Sequence, residues 1–317
     1  MDATGGAAVV LAELTRWFGD LVAVDALTFT VERGELFGLV GPDGAGKTTT
    51  LRMLAGVLHA SAGDARVFGT SVVEDPETVK HDIEYMSQRF GLYADLTVAE
   101  NIRFYADLYE VPRAARAARL ERLYRFSGLE PFRNRLAGQL SGGMKQKLGL
   151  SCALIHQPGL LLLDEPTFGV DPISRRDLWL IVHEMVADGV TVIVSTAYMD
   201  EAERFDRVAL LHEGRLVQLD RPDALRAPLE GRLLAVHTSA GPRLARDAAL
   251  AHPAVRSATA FGDRLHVVMA DAVTGGAALQ SALRAAGFED VRVEAIEPTM
   301  EDVFIDRIRG AAPGGAS

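Results

Sequence analysis

The stretch LFGLVGPDGAGKTTTLRMLAGVL, residues 36–58, decides the fold. Residues 36–40 are almost wholly apolar, which reads as a strand buried on both faces. Gly41, Pro42, Asp43, Gly44, Ala45, Gly46, Lys47 and Thr48 then fit G-x-x-x-x-G-K-[ST], and Leu51, Leu54 and Leu58 continue as an apolar helical pattern. Strand, glycine-rich turn and helix in that order make a phosphate cradle. Glycines let the backbone curl so that successive N–H groups face phosphate oxygens, and the helix N-terminus adds partial positive charge. Lys47 is placed to pair with β- and γ-phosphates, Thr48 to hold magnesium, and Thr49 to lie beside it on the nucleotide. A glycine-rich turn ahead of an ordinary helix is the plainer alternative, and the flanking strand and helix argue against it.

A second element, GLLLLDEPTFGVDP at residues 159–172, supplies the metal side. Its four leucines read as a parallel strand buried on both faces, with Asp164 at the C-terminal end, where ligands bind in open α/β sheets. A carboxylate there suits magnesium held through water. Glu165 follows, turned to the other side, where it can orient or deprotonate an attacking water.

Between these elements lies QLSGGMKQKLGLSCAL, residues 139–154. Ser141 reads as a helix N-cap, two glycines follow, and Leu148, Cys152 and Ile155 line one side of the helix. With the phosphate loop, the LLLLDEP strand and an intervening Gln88, this run closely resembles the signature motif of the ATP-binding cassette (ABC) ATPases. The resemblance spans roughly residues 8–225.

That resemblance implies an α/β fold: a P-loop NTPase cassette with a RecA-like core sheet and a helical subdomain at about 88–150. It implies ATP and Mg2+ as cofactors and a second cassette as partner, stacked head to tail. Ser141, Gly142 and Gly143 would then face the γ-phosphate of a nucleotide bound to that partner. Phe18, in RWFGD, falls where an aromatic stacks on adenine, with Val24 near the base; a place in the hairpin core is the other reading of Phe18. Gln88 matches the glutamine that contacts magnesium and couples nucleotide state to the helical subdomain, and Asp171 matches the acid that communicates across the dimer. Met144 departs from the polar residue usual in the signature.

A larger departure stands in VSTAYMDEAERFD, residues 194–206. The family places a histidine that reaches the γ-phosphate where this chain has Ala197. A methyl group neither donates a hydrogen bond nor relays a proton, so one donor aimed at the transition state is missing. The expectation is a chain that binds Mg-ATP but hydrolyses it slowly in its own site. Replacement by Tyr198, or by a histidine from elsewhere, is the alternative.

Composition narrows the setting. A formal net charge of −10 disfavours a general nucleic-acid binder, which needs a basic surface. The single cysteine, Cys152, permits no internal disulfide and reads as a small buried hydrophobe. No apolar run reaches the roughly 18–20 residues that span a bilayer, and the start of the chain does not read as a signal peptide. The run RAARAARLERLYR, beginning at Arg113, reads as a solvated helix face; an anionic partner is the alternative.

After residue 225 the pattern β-α-β-β-α-β suggests a small ferredoxin-like α+β domain over residues 230–310, without clustered His, Cys or paired acids. The closing EPTMEDVFIDRIRG resembles the ending of cassettes that serve drug, lipid or polysaccharide exporters, and the tail GAAPGGAS reads as disordered. The resulting expectation is the ATP-binding subunit of an exporter, peripheral on the cytoplasmic face through a separate integral membrane permease. That permease's coupling helix would dock at residues 90–96. A soluble ribosome-associated or regulatory ABC ATPase is the alternative. Chromosome-type ATPases are excluded, because Ser141 follows Lys47 by only 94 residues and leaves no room for a long coiled coil.

Overall fold

The computed structural model describes residues 6–88 and 91–311. The chain divides between Leu219 and Asp220 into two compact units. Among the described residues no helix is long and apolar enough to cross a membrane.

The first unit opens with two long strands, β1 (Ala7–Phe18) and β2 (Leu21–Glu32), paired antiparallel down to Phe18 opposite Leu21. Next come β3 (Leu36–Val40) and α1 (Lys47–Leu54), then β4 (Ala62–Val67), β5 (Thr70–Ser71), α2 (Pro76–Asp82) and β6 (Ile83–Met86). Helices α3 (Val98–Leu108), α4 (Arg113–Ser127) and α5 (Gly142–Leu154) follow. The unit continues through β7 (Leu160–Asp164), α6 (Pro172–Ala187), β8 (Thr191–Thr196), β9 (Arg207–His212) and β10 (Arg215–Asp220).

Two sheets result. One runs β2-β1-β4-β5; the other runs β10-β9-β3-β8-β7-β6, with β9, β3, β8, β7 and β6 parallel to their neighbours. The order puts β3 between β9 and β8, and β8 against β7, so the C-terminal ends of β3, β7 and β8 lie side by side. Every residue of these three strands is buried, which is why they read as unbroken apolar runs rather than alternating ones. Each fully buried leucine or valine contributes about 1.5–3 kcal/mol, so the loops at these strand ends stand on a rigid base.

Local signals fix the helices. Thr97 accepts from the Glu100 amide and the Glu100 carboxylate accepts from the Thr97 amide, closing a capping box at the start of α3. Ile102 and Tyr105 on α3 are buried as their spacing predicts, but Leu108 is 58% exposed, since α3 ends there. Three arginines of α4 pair within the unit: Arg116 with Asp107, Arg122 with Asp188 and Arg125 with Glu121. Arg119 donates to the Ile155 carbonyl at 3.0 Å. Cys152 is fully buried, and burial pushes its thiol well up, as a small core hydrophobe requires.

The second unit contains α7 (Pro222–Arg226), β11 (Leu233–His237), α8 (Pro242–Leu250), β12 (Val255–Phe261), β13 (Arg264–Met269), α9 (Ala272–Ala285), β14 (Arg292–Ala295) and α10 (Met300–Ala311). Its sheet runs β12-β13-β11-β14 and is antiparallel throughout. Leu234, Val236, Leu265, Val267, Leu279 and Leu283 form its core. His266 Nδ1 meets Asp302 Oδ1 at 2.6 Å, both residues buried, although 36 positions separate them in sequence. Helix α10 also continues through Ala311, so Gly310 and Ala311 of the expected tail are helical; residues 312–317 lie outside the described residues.

Candidate functional site

The turn between β3 and α1 carries Gly46 at φ 95°, where a Cβ would sit 2.5 Å from the Ala23 carbonyl oxygen. Only glycine satisfies both the left-handed backbone and that close approach. The turn therefore wraps tightly under β2. Lys47, the first residue of α1, is 4% exposed and donates to the Gly41 carbonyl at 2.7 Å and the Pro42 carbonyl at 3.0 Å. Its ammonium also lies 3.4 Å from Glu165 Oε1.

The carboxylate at the end of β7 is held from three sides. Asp164 Oδ1 accepts from Thr48 Oγ1 at 2.9 Å and from Ser195 Oγ at 2.6 Å; Oδ2 accepts from the Tyr85 hydroxyl at 3.0 Å. Burial, followed by the Asp164 charge, pushes the Tyr85 phenol up to about 12, so it remains a donor. Glu165 adopts φ 49°, and this left-handed turn carries its side chain away from the direction of Asp164. Its second oxygen accepts from Gln88 Nε2 at 3.3 Å.

These groups line one cavity of about 800 Å³. Asp43, Gly44, Ala45, Gly46, Lys47, Thr48 and Thr49 line it from the turn and α1, Gln88, Asp164 and Glu165 from the strand ends, and Phe18 from the hairpin tip. Gly41 and Pro42 take part through their carbonyls on Lys47. Phe18 is 46% exposed, with the Arg16 guanidinium 4.5 Å from its ring centroid, so it is not a hairpin core residue. Val24 is fully buried in the core; Leu21, Val22 and Ala23 line the cavity instead.

Residues that the sequence did not single out also belong here. Phe168 and Glu213 line the cavity. Glu213 arrives through the β9–β10 turn, whose Gly214 amide donates to the Ala45 carbonyl at 3.3 Å. The Ser195 hydroxyl was visible in the VST run but carried no spacing signal.

Ser141, Gly142, Gly143 and Asp171 do not line this cavity. They gather elsewhere. Ser141 caps α5, accepting from the Met144 amide at 3.3 Å, and Asp171 caps α6, accepting from the Ser174 amide at 3.0 Å. That amide holds the Asp171 carboxyl below the usual carboxylate range. A Cβ at Gly143 would lie 2.2 Å from Ser174 Cβ, so the two helix starts touch. Ser141, Gly142 and Asp171 are exposed, open to a partner surface.

Ala197 follows β8 directly, after Thr196, whose carbonyl accepts from the Gly41 amide at 3.3 Å. Among the described residues no histidine lines the cavity. Tyr198 is not a lining residue either; its ring lies under the Arg175 guanidinium at 4.6 Å.

The lining suits a nucleotide that carries its own cation. Among the described residues it has one ammonium, Lys47, against four carboxylates, Asp43, Asp164, Glu165 and Glu213. Among the described residues no group of three or more His, Cys, Asp or Glu is arranged to hold a metal alone. Magnesium fits such a site, since it is commonly bound by one or two protein oxygens plus phosphates. The Thr48 hydroxyl points its hydrogen at Asp164, which leaves its lone pairs for a cation.

The family model described as ABC transporter matches residues 24–168. The chain is 44% identical over 293 residues to the probable multidrug ABC transporter ATP-binding protein YbhF of Escherichia coli (strain K12), covering 92% of this chain and 50% of that protein. It is 33% identical to the daunorubicin resistance ATP-binding protein DrrA2 of Streptomyces coeruleorubidus, covering 95% of this chain and 94% of that protein. A solved structure described as the ATP binding subunit of an ABC transporter superimposes with a TM-score of 0.64 at 31% identity, over 70% of this chain and 93% of the other. The chain spans about half the length of the curated multidrug relatives it matches in Escherichia coli and Shigella flexneri.

Proposed function

This chain belongs to the ATP-binding proteins of ABC transporters, and from that premise we propose that it is the ATP-binding subunit of an exporter, hydrolysing ATP to drive a separate membrane permease. The observation that carries this reading is the cavity itself. A phosphate turn ending in Lys47 and Thr48 lies beside a magnesium-side carboxylate, Asp164, and a water-orienting carboxylate, Glu165. The drug-resistance relatives support the export assignment.

In this reading Thr48, Asp164 and Gln88 hold Mg2+, which neutralises charge developing on the phosphates. Lys47 and the backbone amides of Gly44, Gly46, Lys47, Thr48 and Thr49 bind the phosphates, and Phe18 stacks on adenine with its free face. Glu165 orients the attacking water. The exposed residues Ser141, Gly142 and Asp171 at the starts of α5 and α6, with Gly143 packed behind them, face a second cassette, whose nucleotide they cover. Hydrolysis in the chain's own site is slow, because Ala197 offers no donor to the γ-phosphate. The cassette occupies residues 8–225, with its helical subdomain at about 88–150. The strand order and β-α-β-β-α-β sequence of the second unit support a ferredoxin-like accessory domain over residues 230–310. The chain sits on the cytoplasmic face through the permease, which docks near residues 90–96; of these, Phe90 lies outside the described residues.

The test has two arms. Tagged chain expressed with its membranes intact is recovered from detergent extract together with an integral membrane protein, and the purified chain binds a fluorescent ATP analogue in a Mg2+-dependent manner. Sedimentation with ribosomes in place of membrane recovery would favour the soluble alternative, and absence of Mg2+-dependent ATP binding would overturn the reading.

A further inference from the structure

We propose that Ser195 and Tyr85 are positioning residues for the metal-side carboxylate, and that Ser195 also couples that carboxylate to the turn carrying Glu165. The proposal rests on the Mg-ATP reading above and goes beyond it, because neither residue belongs to the phosphate turn, the signature or the acidic strand end.

Three hydroxyls meet on Asp164, each from a different element: Thr48 from α1, Ser195 from β8 and Tyr85 from β6. A carboxylate offers about four lone-pair sites. Two on Oδ1 and one on Oδ2 are occupied, so the remaining acceptor direction is on Oδ2. Asp164 is 3% exposed and lines the cavity, so that direction is the one available to a hydrated cation. Neutral donors are the suitable choice. They fix the orientation of the carboxylate without cancelling its charge, whereas a lysine or arginine in contact would compete with the metal.

Ser195 does more than Tyr85. Its hydroxyl donates to Asp164 and accepts from the Glu165 amide at 3.0 Å. One side chain thus ties the metal-side oxygen to the backbone of the next residue, at the point where that residue turns left-handed with φ 49°. A non-glycine residue in this conformation is uncommon and persists where its surroundings hold it. Ser195 stands opposite Asp164 in the β7–β8 register and is fully buried, so the hydroxyl is held by the sheet itself. Its two bonds place the Asp164 and Glu165 carboxylates in a fixed relation.

Removing either hydroxyl leaves Asp164 and the Glu165 amide with partners. In Ser195→Ala the Glu165 amide keeps the Ser195 carbonyl at 3.1 Å and Asp164 keeps Thr48 and Tyr85. In Tyr85→Phe, Asp164 keeps Thr48 and Ser195. What is lost is orientation, which a metal-dependent readout detects.

The experiment titrates Mg2+ against full-length chain with a fluorescent ATP analogue, in a Glu165→Gln background so that hydrolysis does not intrude, and repeats the titration in EDTA. We expect Ser195→Ala and Tyr85→Phe each to raise the Mg2+ concentration needed for half-maximal nucleotide binding by about 5–20-fold, with metal-free nucleotide affinity unchanged. With Glu165 restored and Mg2+ saturating, Ser195→Ala lowers the single-turnover rate about 10-fold or more, a larger loss than Tyr85→Phe gives. Unchanged Mg2+ requirements in both variants, in a parent that binds Mg-ATP, overturn this proposal and leave the nucleotide reading standing. A parent without Mg2+-dependent binding overturns both.

Discussion

Lys47 Nζ faces Glu165 Oε1 at 3.4 Å, while Gln88 holds the other oxygen of the same carboxylate at 3.3 Å. The ammonium proposed to meet phosphate and the carboxylate proposed to orient water are thus neighbours. Their substitutions should separate. Lys47→Ala removes the one cation lining the cavity among the described residues and should weaken Mg-ATP binding by at least about 10-fold in a fluorescence titration. Glu165→Gln keeps the shape but loses the base; binding should persist while single-turnover hydrolysis falls on the order of 10²-fold or more.

Ala197→His should raise the single-turnover rate by roughly 10²–10³, the value of one preorganised donor at a developing charge. ATP affinity should change little, because Lys47, Thr48 and Asp164 are untouched. An equal rate for both proteins would show that the position is not limiting.

Gly143→Ala forces a methyl group against Ser174, where a Cβ would lie 2.2 Å from Ser174 Cβ. Overpacking of this kind costs roughly 1–3 kcal/mol, read as a lower urea midpoint. Gly143→Ala/Ser174→Gly should recover most of the loss. Failure of the double variant to recover would show that the glycine is needed for another reason.

Glu84 is buried on β6, where desolvation raises its carboxyl to about 7 against the Tyr109 hydroxyl bond at 2.6 Å that favours the charged form. Between about pH 4.5 and 7 the native state keeps a proton that the unfolded chain has released, so this group makes stability fall as pH rises, levelling off above about 7. The drop is on the order of 1–3 kcal/mol. Neighbouring His156, lowered mainly by burial, contributes the opposite slope below pH 6.5. Glu84→Gln should remove the Glu84 part, so the difference between variant and parent in chemical denaturation should grow from pH 5 to pH 7.5. A constant difference would refute the shift.

Sequence spacing alone placed Lys47, Thr48, Asp164 and Glu165 in order, because a phosphate turn, its helix and an apolar strand ending in acid are local patterns. The caps Thr97 and Ser141 were equally legible, each satisfying a backbone amide within three residues, whereas Asp171 was not read as a cap. Alternation was not enough to orient Val24, since β2 is register-shifted against β1. Which face of a strand turns inward depends on its partner.

The sequence by itself determined the chemistry available to this protein: a glycine turn, one ammonium, hydroxyls and carboxylates at fixed intervals along the chain. Only the tertiary structure decided that Tyr85, Ser195 and Thr48 converge on one carboxylate, and that His266 finds Asp302. The physical reason is reach. Turns and caps are made by residues a few positions apart, whereas strand order and helix packing bring together side chains tens to more than a hundred residues apart, and no local spacing records which of them will meet.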